Sequence, residues 1–435
     1  MKSLFQLITL ALLMAACSKP TTSSLVVSTD IDHFWEAYDK VQSTEDTIQQ
    51  KEFLQRLFLD KGTPGLSAIM QARRYTLDSY LEAIHDYPKF WASMRTNMAK
   101  AKQLGPQIEK GIAAFEKLYP MQRSAKVYFT VGALRTNGTA MDSLVLIGSE
   151  LALADENVIT DELPSNFDYL RAYFDSNPIN DVVFLNVHEY VHTQQTTHGG
   201  YDLLSQCLFE GIAEFIPVIA MKQESPTPAI AYGKANDAAI QEAFVKEMFS
   251  PFYNNWIWNN TNNVFATRDL GYYVGYAIAE QYYEGEQDKR KAVANLLALD
   301  FTDTLAIEHF VDEVGYFNQP IAQLKSAYEA SRPTVTSIAP LQTGNQDVDS
   351  TIEKFTITFS EPMDTRYRNF QYGPLGEKAV LGVQEVIGFS EDGRSISLSI
   401  AMEAGQRYQL IVGEGFRTKA GIPLQPYLID FRTAK

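Results

Sequence analysis

The stretch HEYVHTQQTTHGG, residues 188–200, sets His188 and His192 four apart with Glu189 beside the first. On a helix, positions i and i+4 share a face, so both imidazoles can reach one ion while Glu189 stands next to a bound water. That is the spacing for zinc hydrolysis, which needs a third protein ligand and one position left open. Two residues compete for the third place. His198 follows closely, but the chain would have to reverse sharply at Gln195, where a glycine would ease the bend. Glu210 sits in LFEGIAEF, which puts Glu210 and Glu214 on one face of a later helix.

These side chains need a scaffold. The segment AKVYFTVGALRTNGTAMDSLVLIGSEL alternates β-branched and aromatic residues around Asn137-Gly138, and predicts a hairpin of strands near 127–134 and 143–148. NPINDVVFLNVHEYVHTQQ then predicts a helix starting near Pro178, with an apolar face through Val183, Val187 and Val191. Upstream, from about Ile31 to Tyr119, apolar residues recur at three and four, which predicts a helical layer whose Phe34, Trp35, Tyr80, Phe90 and Trp91 belong to a core. Downstream helices are expected from about Leu203 to Phe252, broken at Pro217 and at ESPTPA. GYYVGYAIAEQYYEG and QPIAQLKSAYEASR are expected to follow as helices. Beyond Pro333, KFTITFS, QEVIGFS, SISLSIA, RYQLIVG and YLIDFRT alternate with period two and predict a β-sandwich.

The whole chain constrains partners. At 435 residues, 45% hydrophobic and 21% charged, it has the composition of a globular protein with room for two or three domains. A formal charge of −16 without Lys/Arg clusters argues against nucleic acid. Its start, MKSLFQLITLALLMAACSKP, is a short basic region, an apolar run and small residues ending at Cys17, the form of a secretory signal. Cys207 is the other of two cysteines, so no disulfide framework is expected, and its apolar setting predicts a buried thiol.

Several of these stretches resemble known families. LMAAC is similar to the bacterial lipobox, which implies acylation of Cys17, anchoring by lipid in the bacterial cell envelope, and, with Ser18 next, the outer membrane. HEYVHTQQTTH is close to the metzincin spacing, with Gln195 in place of glycine and no Met-turn in view. HEYVH with LFEGIAEF resembles the gluzincin arrangement of aminopeptidase-N-like enzymes. It implies zinc held by His188, His192 and Glu210, Glu214 orienting a ligand histidine, and Glu189 as general base. GYYVGYAIAEQYY matches those enzymes' tyrosine segment without its lysine, which implies an oxyanion donor at Tyr272, with Tyr276 as runner-up. Their Gly-x-Met-Glu-Asn strand has no counterpart; GALRTNG is the nearest string. Residues Val127 to Gly285 look more like predicted zinc-dependent protease lipoproteins, a set that also resembles a gliding-motility lipoprotein. From Arg332 onward the chain resembles the bacterial Ig-like domain, a spacer or adhesive module.

The resulting expectation is α+β. A signal peptide occupies 1–17 and a polar tether 18–30. A mainly helical zincin-like domain with a β-hairpin occupies 31–331, and an all-β Ig-like sandwich 332–435. Its function would be hydrolysis of a peptide or protein substrate. The competing expectation is a structural or assembly lipoprotein that retains a zinc site.

Overall fold

The structure, a computed structural model, describes residues 24–259 and 263–435. The signal peptide and Cys17 therefore lie outside the described residues. The fold is α+β, with two apolar cores. One runs from Ile31 to Leu324 and takes in nearly all the helices. The other, from Ile338 to Phe431, lies between strands.

The first unit opens with β1 (Val26–Val27), then α1 (Thr29–Val41), α2 (Thr47–Leu54), α3 (Pro64–Arg73), α4 (Leu77–Asp86), α5 (Pro88–Met98) and α6 (Ala101–Leu118). Local chemistry starts these helices. Asp46 accepts from the backbone N–H groups of Ile48 and Gln49 to cap α2, and Thr76 and Ser79 form a reciprocal capping box on α4. The tether expected through residue 30 gives way to regular structure by Val26, because β1 finds a parallel partner in the main sheet.

That sheet contains β2 (Lys126–Thr130), β3 (Gly138–Met141) and β4 (Leu144–Gly148), in the order β1-β2-β4-β3. The expected hairpin is corrected here. β2 and β4 pair parallel, and the antiparallel hairpin is β3 with β4, turning at Asp142, whose φ is 52°. Asn137-Gly138 is not the turn. Gly138 begins the edge strand and is used for close approach instead, since a Cβ there would lie 2.7 Å from a carboxylate oxygen of Glu189.

After α7 (Ser149–Ala152) and α8 (Asp168–Asp175) comes the motif helix, α9 (Val182–His192), packed on β3, β4 and α6. Its β-branched residues are modest helix formers, so burial of Val182, Phe184, Val187 and Val191 must hold it. α10 (Leu203–Met221) crosses α9 and is buried on every side from Leu203 to Pro217. It is long and apolar enough to cross a bilayer, yet its apolar window is 83% buried in protein, as a core helix is. The break expected at Pro217 does not occur. Proline removes one hydrogen bond near the C-terminal end, and the burial around it carries the helix on to Met221.

Then follow α11 (Pro228–Phe244), α12 (Leu270–Gly285), α13 (Lys289–Ala298), α14 (Thr304–Val314) and α15 (Ile321–Ser331). α12 lies along α10 at glycine distance: Gly211 faces the backbone of Gly275, and Gly275 faces the carbonyl of Cys207, which is fully buried as expected.

The C-terminal part is all-β apart from one short 3-10 turn. β5 (Val335–Ala339), β6 (Lys354–Phe359), β7 (Phe370–Gln371), β8 (Gly382–Phe389), β9 (Ser395–Ala401), β10 (Arg407–Val412) and β11 (Tyr427–Arg432) form two sheets, ordered β5-β6-β9-β8 and β11-β10-β7. Alternate residues Phe355, Ile357 and Phe359 of β6, and Ile396, Leu398 and Ile400 of β9, point into the shared core. Arg332 clasps this part to α15: it bonds Glu329 on one side and Glu414 and the Leu424 carbonyl on the other.

Candidate metal centre

α9 brings His188 and His192 to one face, and the crossing helix α10 brings Glu210 to them. The three ligand-type atoms form a small triangle: His188 Nε2 to His192 Nε2 is 3.2 Å, His192 Nε2 to Glu210 Oε2 is 3.3 Å, and His188 Nε2 to Glu210 Oε2 is 3.7 Å. Three corners of a tetrahedron of nitrogen and oxygen ligands roughly 2.0–2.1 Å from a central ion are about 3.4 Å apart. The triangle brackets that value, so the buried triad has the dimensions to hold one metal ion.

The remaining ring nitrogens are committed. His188 Nδ1–H donates to Glu214 Oε2 at 2.9 Å, and His192 Nδ1–H donates to Gln195 Oε1 at 2.7 Å. Both Nε2 atoms are thereby left as acceptors for a cation. Glu214 is braced in turn by the Ser225 hydroxyl, and Gln195 by its Nε2 donating to the Phe209 carbonyl at 2.8 Å. Phe209 stacks on His192 at 4.3 Å, and Tyr272 stacks on His188 at 6.1 Å. Gln206 reaches the other oxygen of Glu210 at 3.3 Å.

Electrostatics point the same way. Burial pushes the His188 imidazole down, but Glu210 and Glu214 more than offset it and raise it to about 10. Burial pushes Glu210 up, yet the His192 and His188 imidazoles hold its carboxyl far below the usual carboxylate range. A pocket that stabilises positive charge between imidazoles and carboxylates also favours a metal cation, which displaces the proton on binding. Glu189 behaves differently. Burial raises its carboxyl, and among the described residues it accepts no hydrogen bond from a protein donor. It stands 7% exposed against Gly138, with its oxygens uncommitted.

The sequence-expected residues divide. His188, Glu189, His192, Glu210 and Glu214 meet at one point. His198 is exposed and outside the triad. Tyr272 lies over His188, its oxygen accepting from Trp258 Nε1 at 3.2 Å. The hydroxyl of Tyr276 is turned to Glu280 at 3.2 Å and Lys234 at 3.4 Å. Sequence reasoning missed Gln195 and Trp258. Gln195 registered only as an obstacle to a bend, although an acceptor three residues after a helical histidine is placed to orient it. Trp258 is 58% exposed with φ of 53°, a conformation rare for an aromatic residue, and only the fold reveals it.

No protein-family model matches the sequence, and neither does any curated protein. Among solved structures, the S-layer protein rSbsC(31-844) aligns with 94% of this chain at 12% identity and a TM-score of 0.18. The chain spans 45% of the length of that structure.

Proposed function

We propose that this chain is a zinc-dependent peptidase of gluzincin type, with zinc held by His188, His192 and Glu210. The observation that carries the proposal is the uncommitted Glu189 carboxylate beside a triad of tetrahedral dimensions. A purely structural site would close its fourth position with protein and would have no use for an adjacent base. Zinc held there would supply Lewis-acid activation of a water and of the substrate carbonyl.

The chain's own groups do the rest. Glu189 takes a proton from the attacking water as its oxygen bonds to the carbonyl carbon. Glu189 then gives that proton to the amine nitrogen as the C–N bond breaks. Tyr272 donates its O–H to the developing oxyanion; until substrate arrives, burial and the neighbouring Glu210 carboxylate keep that proton on the phenol, while the Trp258 N–H is bonded to its oxygen. Glu214 and Gln195 keep the two imidazoles in the ligating tautomer. The outer edge of β3 offers backbone groups to an extended peptide by strand addition. Acylation at Cys17 would hold the protein to the bacterial envelope, at the outer membrane, and the C-terminal sheets would serve as an Ig-like spacer or adhesive module.

The test uses protein lacking residues 1–17. Bound metal is measured, and cleavage of a mixed peptide library is profiled for the parent and for Glu189→Gln. The variant should keep the metal and lose about 10²- to 10⁴-fold in rate, the usual worth of a positioned general base. Equal turnover by the two proteins refutes the peptidase. Metal retained with no hydrolysis by the parent would favour the assembly lipoprotein.

A further inference from the structure

We propose that Arg73 forms a carboxylate-binding subsite beside the centre, so that preferred substrates carry a carboxylate close to the scissile bond; this rests on the peptidase reading above. Arg73 is the last residue of α3, which stops there because Arg74 turns left-handed, with φ of 54°. Its Nη2 donates to Thr136 Oγ1 at 3.2 Å, and Thr136 Oγ1 donates to the Gly138 carbonyl at 2.6 Å. Gly138 is the residue against which Glu189 lies. The guanidinium is therefore two hydrogen bonds from the start of the edge strand on which a peptide would lie, and its positive charge is felt by the Glu189 carboxylate.

What Arg73 lacks is an anion. Its Nε is buried without a partner, and among the described residues no carboxylate oxygen lies within 4.0 Å of its nitrogens. Most of the described lysines and arginines share that lack, so what marks Arg73 is the buried Nε: an N–H shielded from water with no acceptor, on a cation beside the centre, is a group that a carboxylate would satisfy. Arg135, next to it, is already engaged: its Nη1 donates to the Arg73 carbonyl at 3.0 Å and its guanidinium lies over Tyr75. It adds positive charge at the same edge.

The loop that carries Thr136 is also held still. The buried Glu150 carboxylate accepts from the N–H groups of Gly132 at 3.0 Å and Leu134 at 3.2 Å, and Leu134 is left-handed with φ of 58°. A planar guanidinium on such a support matches the two oxygens of a carboxylate. The carboxylate can come from an Asp or Glu side chain or from a peptide's C-terminus.

The experiment uses acetylated, internally quenched alanine hexapeptides with one glutamate or one glutamine scanned through the positions, each made with a free and an amidated C-terminus. Zinc-loaded parent, Arg73→Gln and Arg73→Lys are compared by kcat/KM. The parent should favour glutamate over glutamine at one position, or free over amidated ends, by about tenfold, the worth of one charge-assisted contact. In Arg73→Gln that ratio should fall to about one. If Arg73 only tuned Glu189, both members of each pair would change together and the ratio would survive. Should Arg73→Gln fail to fold, Arg73→Lys should show a reduced ratio with an unchanged circular dichroism spectrum. Calorimetric titration of Glu189→Gln with the same peptides reads binding without turnover.

Cleavage without carboxylate preference, or a preference that survives Arg73→Gln, overturns the subsite and leaves the peptidase standing. No cleavage, with carboxylate-dependent binding that Arg73→Gln abolishes, overturns the peptidase and keeps the subsite. Neither cleavage nor such binding overturns both.

Discussion

Gly211 is the residue through which the centre can be broken without touching a ligand. A Cβ on Gly211 would lie 2.2 Å from Gly275 C and from Tyr276 N, both backbone atoms of α12 with no side-chain freedom to move aside. Carbon contacts relax only near 3.5 Å, so Gly211→Ala must part α10 from α12 by about 1 Å. Glu210 rides on α10 next to that point, and its 3.3 Å and 3.7 Å distances to the imidazoles would change by a similar amount. Metal sites tolerate about 0.2 Å. The overpacking should cost roughly 1–3 kcal/mol of stability, offset in part by about 1 kcal/mol from alanine's higher helix propensity. Zinc affinity should fall by about 100-fold or more, beyond what losing an outer hydrogen-bond partner usually costs. Competition with a chelating dye measures the affinity, and thermal melts with and without zinc measure the coupling. Gly285→Ala, at the end of the partner helix α12 with nothing within 4 Å of its Cβ, is the control and should match the parent. If Gly211→Ala binds zinc as tightly as the parent, the glycine crossing does not set the triad.

Glu210→Ala should strip the metal and the activity while His198→Ala, exposed and outside the triad, leaves metal content at the parent's level; the reverse would make His198 the third ligand. Glu150 should make stability fall with pH. Burial raises its carboxyl to about 7 from 4.5, so the folded state holds a proton that the unfolded state has released. The stability this confers is complete below pH 4.5 and is lost as pH rises through about 7. At 1.36 kcal/mol per unit that is about 3 kcal/mol. Urea midpoints at pH 4.5 and 8 should show the fall in the parent and a smaller one in Glu150→Gln; equal falls would remove Glu150 as the cause. Ending the chain after Arg332 should leave zinc content intact, because the triad belongs to the other apolar core, while lowering the melting temperature through loss of the Glu414 and Leu424 contacts. Loss of zinc on truncation would show the two cores to be one cooperative unit.

The parts of the centre legible in the sequence are those whose geometry is local. His188 and His192 are fixed on one face by helical spacing alone, and Glu210 with Glu214 likewise, so only the meeting of two helices had to be assumed. The misread residues each serve two uses that sequence does not separate. Glycine permits both a left-handed turn and a close approach; at Gly138 the approach to Glu189 wins, and the turn moves to Asp142. Proline ends an exposed helix but not one as buried as α10. The parallel pairing of β2 with β4 joins segments separated by a loop and a further strand, and no short-range pattern announces it. Arg73 and Trp258 come from outside every motif, one from an early helix and the other from a loop before α12, and each is identified by what it lacks in the fold: an acceptor for its buried Nε in the first, an ordinary backbone conformation in the second. The ligand set is therefore written in periodicity. Arg73, which would choose the substrate, is defined by unsatisfied chemistry, which exists only once the chain has folded around it.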